Sequence, residues 1–285
     1  ETDIMFNHYR YVFIVRSILF IALFGCLLWS CSSQLKETRV VKDFNLQWRF
    51  SLNAGNEAIL PEFNDTGWRR LDLPHDWSIE GPFNPNHPAT PSGGALPGGV
   101  GWYRKVFTLN ASYQNKNVYI DFDGIYMNSD VWINGQHLGN RPNGYISFRY
   151  NLTPFLEFGE SENVIVVRVD NSKQPNSRWY SGSGIYRNVR LVITDGIHVA
   201  HWGTHITTPE VSEKSALISI QTTLTNTQVN DNNVKLTTKI INPLGRRVGE
   251  ASTELSLSHS IDSVVEQSIS ITNPMLWCVD APNLY

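Results

Sequence analysis

Short runs of alternating apolar and polar residues recur along the chain from residue 39 onward, and turn residues separate them. Alternation with a period of two is typical of a β-strand with one buried face. No segment of helical length has a helical period. The runs before residue 195 are 40–52, 69–73, 103–109, 117–122, 129–133, 145–150, 163–169 and 188–194.

A tight hairpin is predicted at Asn134-Gly135, which separates the strand-like residues 130–133 and 136–139. A two-residue primed turn needs positive φ at both positions, and Asn-Gly meets that need best. Asp123-Gly124 and Asn143-Gly144 are further turn signals. Eight or nine strands between residues 39 and 196 indicate a jelly-roll β-sandwich. Residues 153–158 are predicted to form one short helical turn.

A second all-β unit is predicted for residues 197–285. Its candidate strands are 200–207, 216–226, 234–241, 250–257 and 263–271. Their spacing is typical of an immunoglobulin-like sandwich, which has about seven strands. We therefore expect this domain to be truncated at its C-terminal end, and the natural protein to continue past Tyr285.

A Gly/Pro-rich stretch, residues 81–101, interrupts the strands of the first domain. Loops of this length inside a domain are usually functional or disordered. The apolar residues Phe83 and Trp102 near its ends suggest that it packs against another part of the protein.

Residues 1–38 are predicted to be a signal and tether rather than part of the fold. Arg10 and Arg16 supply a positively charged n-region before the apolar segment 17–28, which is short for a membrane span. The segment ends at Leu28-Trp29-Ser30-Cys31, which resembles a bacterial lipoprotein signal with Cys31 as the lipidated residue. We expect an exported protein of the periplasm or outer membrane, held to a membrane by its lipid. An ordinary signal peptide or an anchor helix is the alternative.

Composition narrows the possible partners. The formal net charge is -3 and no basic stripe occurs, so nucleic acid is not expected as a partner. After removal of the signal and lipidation, Cys278 alone remains, which excludes an intrachain disulfide. Cys278 is expected to be a buried thiol. Nine Trp and eleven Tyr are typical of sandwich cores or of sugar binding.

Several motifs occur in an order that resembles glycoside hydrolase family 2, especially its bacterial β-galactosidases. Near the start, Trp48-Arg49-Phe50 is followed by residues 65–77, which read DTGWRRLDLPHDW. Residues 96–105 read LPGGVGWYRK, residues 122–135 read FDGIYMNSDVWING, and residues 178–189 read RWYSGSGIYRNV. The last motifs are residues 273–277, NPMLW, and residues 282–285, PNLY.

This resemblance implies a sugar-binding jelly roll, then an immunoglobulin-like sandwich, then a TIM barrel with two catalytic glutamates. No stretch of this sequence alternates strands with crossover helices as a barrel requires. We therefore assign no catalytic residue, and we expect these residues alone to be inactive. The resemblance implies a retaining exo-β-glycosidase acting on carbohydrates, most simply a β-galactosidase, with no cofactor. β-Glucuronidase, β-mannosidase and a surface carbohydrate-binding module without catalysis are the alternatives.

In the family, loops of the first domain reach over the mouth of the barrel and help to hold the sugar. Residues Asp76 and His75 are one candidate pair here, and the alternative is that Asp76 caps a turn while His75 lies in the core. Arg178, Trp179 and Tyr180 form the second candidate group, with an interdomain salt bridge as the alternative for Arg178.

Oxygen-bearing residues at predicted turns are candidates for ion binding, as in other sandwich domains. Their spacing matches no known ion-binding loop, so no metal site is predicted. These residues are Asp123, Asp130, Asp170 and Asn171.

Overall fold

A computed structural model describes residues 38–177 and 179–285, and within these residues the chain forms two β-sandwiches without an α-helix. The predicted all-β class, a jelly-roll sandwich followed by an immunoglobulin-like one, is confirmed. Predictions about the signal segment, Cys31 and Arg178 fall on residues outside the described ranges. Among the described residues, no helix is long and apolar enough to cross a membrane.

The described part of the first sandwich contains ten strands in two antiparallel sheets. One sheet has the order β1-β10-β5-β8, and the other has the order β3-β2-β4-β9-β6-β7. The strands are β1 (Arg39–Asp43), β2 (Trp48–Leu52), β3 (Arg69–Leu71), β4 (Gly99–Thr108), β5 (Asn117–Phe122), β6 (Ser129–Ile133), β7 (Gln136–Arg141), β8 (Phe148–Asn151), β9 (Glu162–Asn171) and β10 (Val189–Thr194).

The core of this sandwich lies between the two sheets and is built from alternate residues of each strand. In β5, Val118, Ile120 and Phe122 are fully buried, while the residues between them are partly exposed. Because successive side chains of a strand point to opposite faces, this alternation places one apolar row against the other sheet. The core therefore follows directly from the period-two pattern of the sequence.

The second sandwich contributes five described strands. A three-stranded sheet has the order β11-β12-β15, and β13 pairs with β14 in a hairpin. Ile218 and Ile220 of β12 pack against Ile240 and Ile269 from the other strands. The strands are β11 (Ile197–Val211), β12 (Ser215–Asn226), β13 (Asn232–Ile241), β14 (Arg247–Leu257) and β15 (Ser263–Thr272).

Polar contacts join the two sandwiches where β10 leads into β11. Lys116 pairs with Asp195 at 2.6 Å. The Asn117 side chain donates to the hydroxyl of Thr227 at 3.0 Å, and the guanidinium of Arg39 donates to the carbonyl of Val199. These contacts hold the start of β11 against the first sandwich.

Some predicted boundaries are wrong. The run 40–52 is not one strand: β1 and β2 lie in different sheets, and Gln47 between them has a left-handed φ of 61°. The strand predicted at 145–150 begins later than expected, at Phe148. The Asn143 side chain accepts a hydrogen bond from the Tyr145 amide at 2.8 Å, which makes a turn before β8. Cys278 was expected to be buried but is exposed, since it follows the last described strand.

Short 3₁₀ helices occupy several loops of the first sandwich. The predicted helical turn at residues 153–158 is one of them and is shorter than expected. Their bounds are Asn56–Ile59, Trp77–Ile79, Pro91–Gly93, Ala111–Tyr113 and Thr153–Phe155.

Candidate functional site

Two segments that are far apart in sequence lie side by side in the first sandwich. One is residues 74–80, which follow β3, and the other is residues 182–185, which precede β10. The amide of His75 donates to the carbonyl of Ile185 at 2.8 Å, and the amide of Trp77 donates to the carbonyl of Ser183 at 3.1 Å. These two hydrogen bonds set the position of Asp76 between them.

The Asp76 carboxylate joins these two segments directly. Its Oδ1 accepts the backbone amide of Ser78 at 2.9 Å and that of Ser183 at 2.7 Å. The first contact caps the 3₁₀ helix Trp77–Ile79. Oδ2 accepts no hydrogen bond from the described residues, and a Cβ at Gly182 would lie 1.9 Å from it. Asp76 therefore has a structural role, with one oxygen left for another partner.

A buried polar network continues from this point. The Ser78 hydroxyl oxygen lies 2.7 Å from Ser183 Oγ, and the Asn171 side chain donates to Ser183 Oγ at 2.7 Å. The side-chain oxygen of Asn171 accepts from Asn176 at 2.6 Å and from Gln174 at 2.8 Å. A satisfied network of this kind rigidifies the backbone around it. It ties the loop after β9 to the two segments that hold Asp76.

His75 lies in the core, with 8% of its surface exposed. Its Nδ1 is 2.7 Å from the Tyr103 hydroxyl, and its Nε2 is 3.1 Å from Glu80 Oε1. Burial lowers the pKa of His75, against the opposing effect of Glu80. Both ring nitrogens therefore have protein partners. This is the environment that the structural alternative describes, and a contact between His75 and sugar stays a prediction.

Glu80 completes this cluster at the surface. It pairs with Arg69, whose Nη1 donates to Glu80 Oε2 at 2.9 Å. The hydrogen bond from Arg69 is the main reason that the pKa of Glu80 is lowered. An ionised Glu80 beside Nε2 thus fixes the orientation of the His75 ring.

Trp77 is buried and has a structural role. Its indole stacks on Phe50 with ring centroids 5.7 Å apart and donates to the carbonyl of Gly98 at 3.2 Å. A Cβ at Gly101 would lie 2.5 Å from the indole, so the glycine allows this close approach. Trp77 thereby anchors one end of the Gly/Pro-rich loop.

Trp179 and Tyr180 lie on the surface, with 75% and 76% of their areas exposed. They precede Gly182, whose backbone faces the free oxygen of Asp76. Tyr180 also contacts the Gly/Pro-rich loop, because a Cβ at Gly94 would lie 2.8 Å from Tyr180 Cβ. Two large aromatic side chains are therefore presented beside the Asp76 segment.

The sequence anticipated part of this arrangement. Asp76, Trp179 and Tyr180 were named as candidates from the sequence. The roles of Ser78, Ser183 and Asn176 were missed, because serine and asparagine carry no signal of burial in a loop. Asn171, which was considered for ion binding, instead belongs to the buried network.

The acidic residues considered for ion binding are engaged in ion pairs. Asp123 pairs with Arg190 at 2.8 Å, Asp170 pairs with Arg168 at 2.8 Å, and Asp130 lies 3.0 Å from His137. Within residues 38–177 and 179–285, no three His, Cys, Asp or Glu side chains are grouped as metal ligands would be.

Both sandwiches match known families. Residues 41–195 match the profile described as "Glycosyl hydrolases family 2, sugar binding domain", and residues 197–285 match that described as "Glycosyl hydrolases family 2". A similar solved structure is a glycosyl hydrolase family 2 member from Bacteroides cellulosilyticus. It has a TM-score of 0.82 and 36% identity, over 85% of this chain and 32% of that one.

Similar proteins include the beta-galactosidase BoGH2A of Bacteroides ovatus, which is 50% identical over 90% of this chain and 30% of that protein. A beta-glucuronidase of Formosa agariphila is 31% identical over 87% of this chain and 27% of its own length. The chain thus spans about a third or less of the relatives it matches. From the two family matches, which together cover most of its residues, the chain belongs to glycoside hydrolase family 2.

Proposed function

We propose that this chain is the N-terminal part of a retaining exo-β-glycosidase that acts on β-galactosides, and that its loops form one wall of the sugar site. The observation that supports this most is the position of Asp76. Its Oδ1 is held by two backbone amides, while its Oδ2 has no partner among the described residues. A carboxylate oxygen held in this way is suited to accept a hydrogen bond from a sugar hydroxyl.

The exposed aromatic residues of the neighbouring loop supply the second element of sugar recognition. A pyranose has an apolar face of C–H groups, and an indole or phenol ring covers such a face while leaving the hydroxyls to polar groups. Trp179 and Tyr180 are exposed enough to do this. Arg178 precedes them. Its guanidinium offers five hydrogen-bond donors and stays positively charged at any working pH.

The chemical step is assigned to a barrel beyond these two sandwiches. Retaining hydrolysis uses an acid/base carboxyl and a nucleophilic carboxylate about 5–5.5 Å apart. In our proposal the barrel supplies both groups, and the Asp76 and Trp179 loops position the non-reducing sugar against them. The chain by itself is expected to hydrolyse nothing.

The choice of galactoside follows from the relatives. The beta-galactosidase BoGH2A is 50% identical to this chain, whereas a putative beta-glucuronidase and a beta-glucuronidase of Formosa agariphila are 35% and 31% identical. A glucuronide would also bring a second carboxylate towards Asp76, and like charges repel. Hydrolysis of β-glucuronides or β-mannosides in preference to β-galactosides would contradict this choice.

The location that we propose is the periplasm or the outer membrane. This rests on the n-region, the apolar segment 17–28 and the lipidation candidate Cys31. Labelling of expressed protein with a radioactive fatty acid tests it directly. Loss of the label in Cys31→Ala is expected, and label retained in that variant would contradict lipidation at this residue.

The enzymatic proposal is tested on the product of the complete reading frame. We expect the frame to continue past the codon of Tyr285 into a barrel, and its product to hydrolyse nitrophenyl β-galactoside faster than the glucuronide or the mannoside. A stop codon directly after Tyr285, with a folded product that binds glycans, would favour a carbohydrate-binding module instead. A barrel that turns over only the glucuronide would reject the galactoside.

Variants of that protein test the proposed wall. Asp76→Asn keeps an oxygen for the two amides but removes the charge, so we expect a fall in kcat/KM of about tenfold or more, equivalent to about 1.4 kcal/mol. Trp179→Ala and Arg178→Ala are expected to weaken turnover with little change in thermal stability. Asp280→Asn, at an exposed position after the last described strand, is the matched control and should leave kinetics unchanged.

A further inference from the structure

Trp202 lies in an unusual bulge at the start of the second sandwich. Val199 pairs with Leu224 and Thr204 pairs with Thr222, so residues 200–203 stand opposite a single residue of β12. Trp202 has a left-handed φ of 53°, which bulky residues rarely adopt. A Cβ at Gly203 would lie 2.9 Å from the carbonyl of Thr223, so a glycine allows the close packing of the bulge. Bulges of this kind redirect a side chain.

The bulge turns the Trp202 side chain outward, where 76% of its area is exposed. One face of the indole stacks on the ring of His201, with centroids 4.4 Å apart and an interplanar angle of 25°. Burial lowers the pKa of His201, and the nearby Arg149 acts in the same direction, so this ring is neutral at neutral pH. The indole is therefore supported on one face by an uncharged ring, and the other face is open.

The surface beside the bulge is a ladder of alternating charges on the outer face of the sheet β1-β10-β5-β8. The register places Asp43 beside Arg190, Arg190 beside Asp121, and Asp121 beside Arg149. Arg149 binds both oxygens of Asp121, at 2.6 and 2.7 Å.

Two contacts bring the ladder and the bulge together. Arg39 of β1 donates to the carbonyl of Val199, the last paired residue before the bulge. His198 packs near Tyr119, a neighbour of Asp121 on β5, with ring centroids 6.3 Å apart.

From this combination we propose that Trp202 is the platform of a second glycan-binding site on this chain, one that takes neutral sugars. The open indole face suits the C–H face of a pyranose. The ladder balances positive and negative groups, which disfavours nucleic acid or a polyanionic glycan. A protein partner would need a broad apolar core, whereas polar groups flank this indole.

The site is built on different elements from the Asp76 loops, so it does not depend on the proposed glycosidase activity. The test is native gel electrophoresis of the product of the complete reading frame, without its signal segment, in gels that contain galactomannan or arabinogalactan, with polygalacturonate as the anionic comparison. We expect at least one neutral polysaccharide to retard the chain and polygalacturonate to retard it much less.

Trp202→Asn removes the indole, and asparagine tolerates the left-handed backbone at this position. We expect the affinity for the polysaccharide, calculated from the retardation, to fall at least fivefold. Trp202→Gly suits the same backbone and replaces it if the first variant does not fold, as judged by circular dichroism. Trp277→Ala, at another exposed indole of the second described unit, is the matched control and should bind normally.

Three results would overturn the proposal. The first is that neither neutral polysaccharide retards the protein. The second is that the wild type and the Trp202 variants are retarded equally. The third is that polygalacturonate retards the protein as much as the neutral polysaccharides do. The second result would assign any glycan binding to other residues. Capture of a protein partner that Trp202→Asn abolishes, without any glycan binding, would assign the platform to a protein interface.

Discussion

Oδ1 of Asp76 accepts the backbone amide of Ser183 at 2.7 Å, across 107 positions of sequence. The same oxygen accepts the amide of Ser78 at 2.9 Å. One carboxylate therefore satisfies two backbone donors from segments that would otherwise have only two main-chain hydrogen bonds between them. The geometry of the candidate site depends on this oxygen.

The first prediction follows from that dependence. Asp76→Ala removes both side-chain contacts and should lower the free energy of unfolding by about 1–3 kcal/mol. Asp76→Asn retains an acceptor oxygen, so its free energy of unfolding should fall less than that of Asp76→Ala. Urea unfolding followed by tryptophan fluorescence measures both. Asp280→Ala, at an exposed position, is the control and should change stability by less than about 0.5 kcal/mol. Equal stability of Asp76→Ala and the wild type would contradict the bridging role.

Local chemistry explains why much of the fold was predictable. Asn134 and Gly135 have φ values of 49° and 80°, which the Asn-Gly pair predicts for a primed hairpin turn. Ile133 and Gln136 pair across it. Such a turn depends only on neighbouring residues, so sequence alone specifies it. The break at Gln47 was missed because a glutamine with positive φ has no comparable signature.

The candidate site was predictable only in part, because its contacts are long-range. Asp76 was named as a candidate from its motif, but nothing in residues 74–77 identifies Ser183 as its partner. The buried state of His75, a loop residue, depends on Tyr103, which comes from strand β4. Packing between distant segments decides such contacts, and a one-dimensional pattern does not encode them.

The second prediction concerns the buried pair Arg104 and Asp65. Arg104 is 1% exposed, and its Nε donates to Asp65 at 3.0 Å. Asp65→Ala would leave this guanidinium in the interior without its counter-charge, which should lower stability by about 3–5 kcal/mol. The exposed pair Arg247–Glu250 is the matched control, and Glu250→Ala should cost less than about 1 kcal/mol. Thermal unfolding of both variants gives the comparison, and similar losses would refute the distinction.

The third prediction concerns Gly184, which packs against the core beneath the Asp76 segment. It has a φ of 130°, and a Cβ there would lie 2.4 Å from the Tyr103 hydroxyl and 2.6 Å from the carbonyl of His75. Gly184→Ala should therefore destabilise the chain by more than about 2 kcal/mol, by overpacking and backbone strain together. Gly81→Ala is the control, since no atom lies within 4 Å of the added methyl group. A Gly184→Ala protein as stable as Gly81→Ala would show that the packing adapts without loss.

The last prediction is a pH dependence of stability that comes from His75. Burial lowers its pKa in the folded chain below the ordinary value of 6.5. Between the folded and the unfolded pKa, the unfolded chain binds more protons. Stability should therefore fall as the pH drops below about 6.5, and the loss should level off below the folded pKa.

His75→Gln removes this proton uptake while keeping a polar side chain, so its stability should fall less than that of the wild type between about pH 7.5 and pH 5. Urea midpoints across that range measure the difference. The lowered pKa values of His198 and His201 act in both proteins, so the comparison isolates His75. His205→Gln, at an exposed histidine, is the control and should follow the wild type. Parallel curves for His75→Gln and the wild type would show that His75 is protonated equally in both states, against the burial that the structure shows.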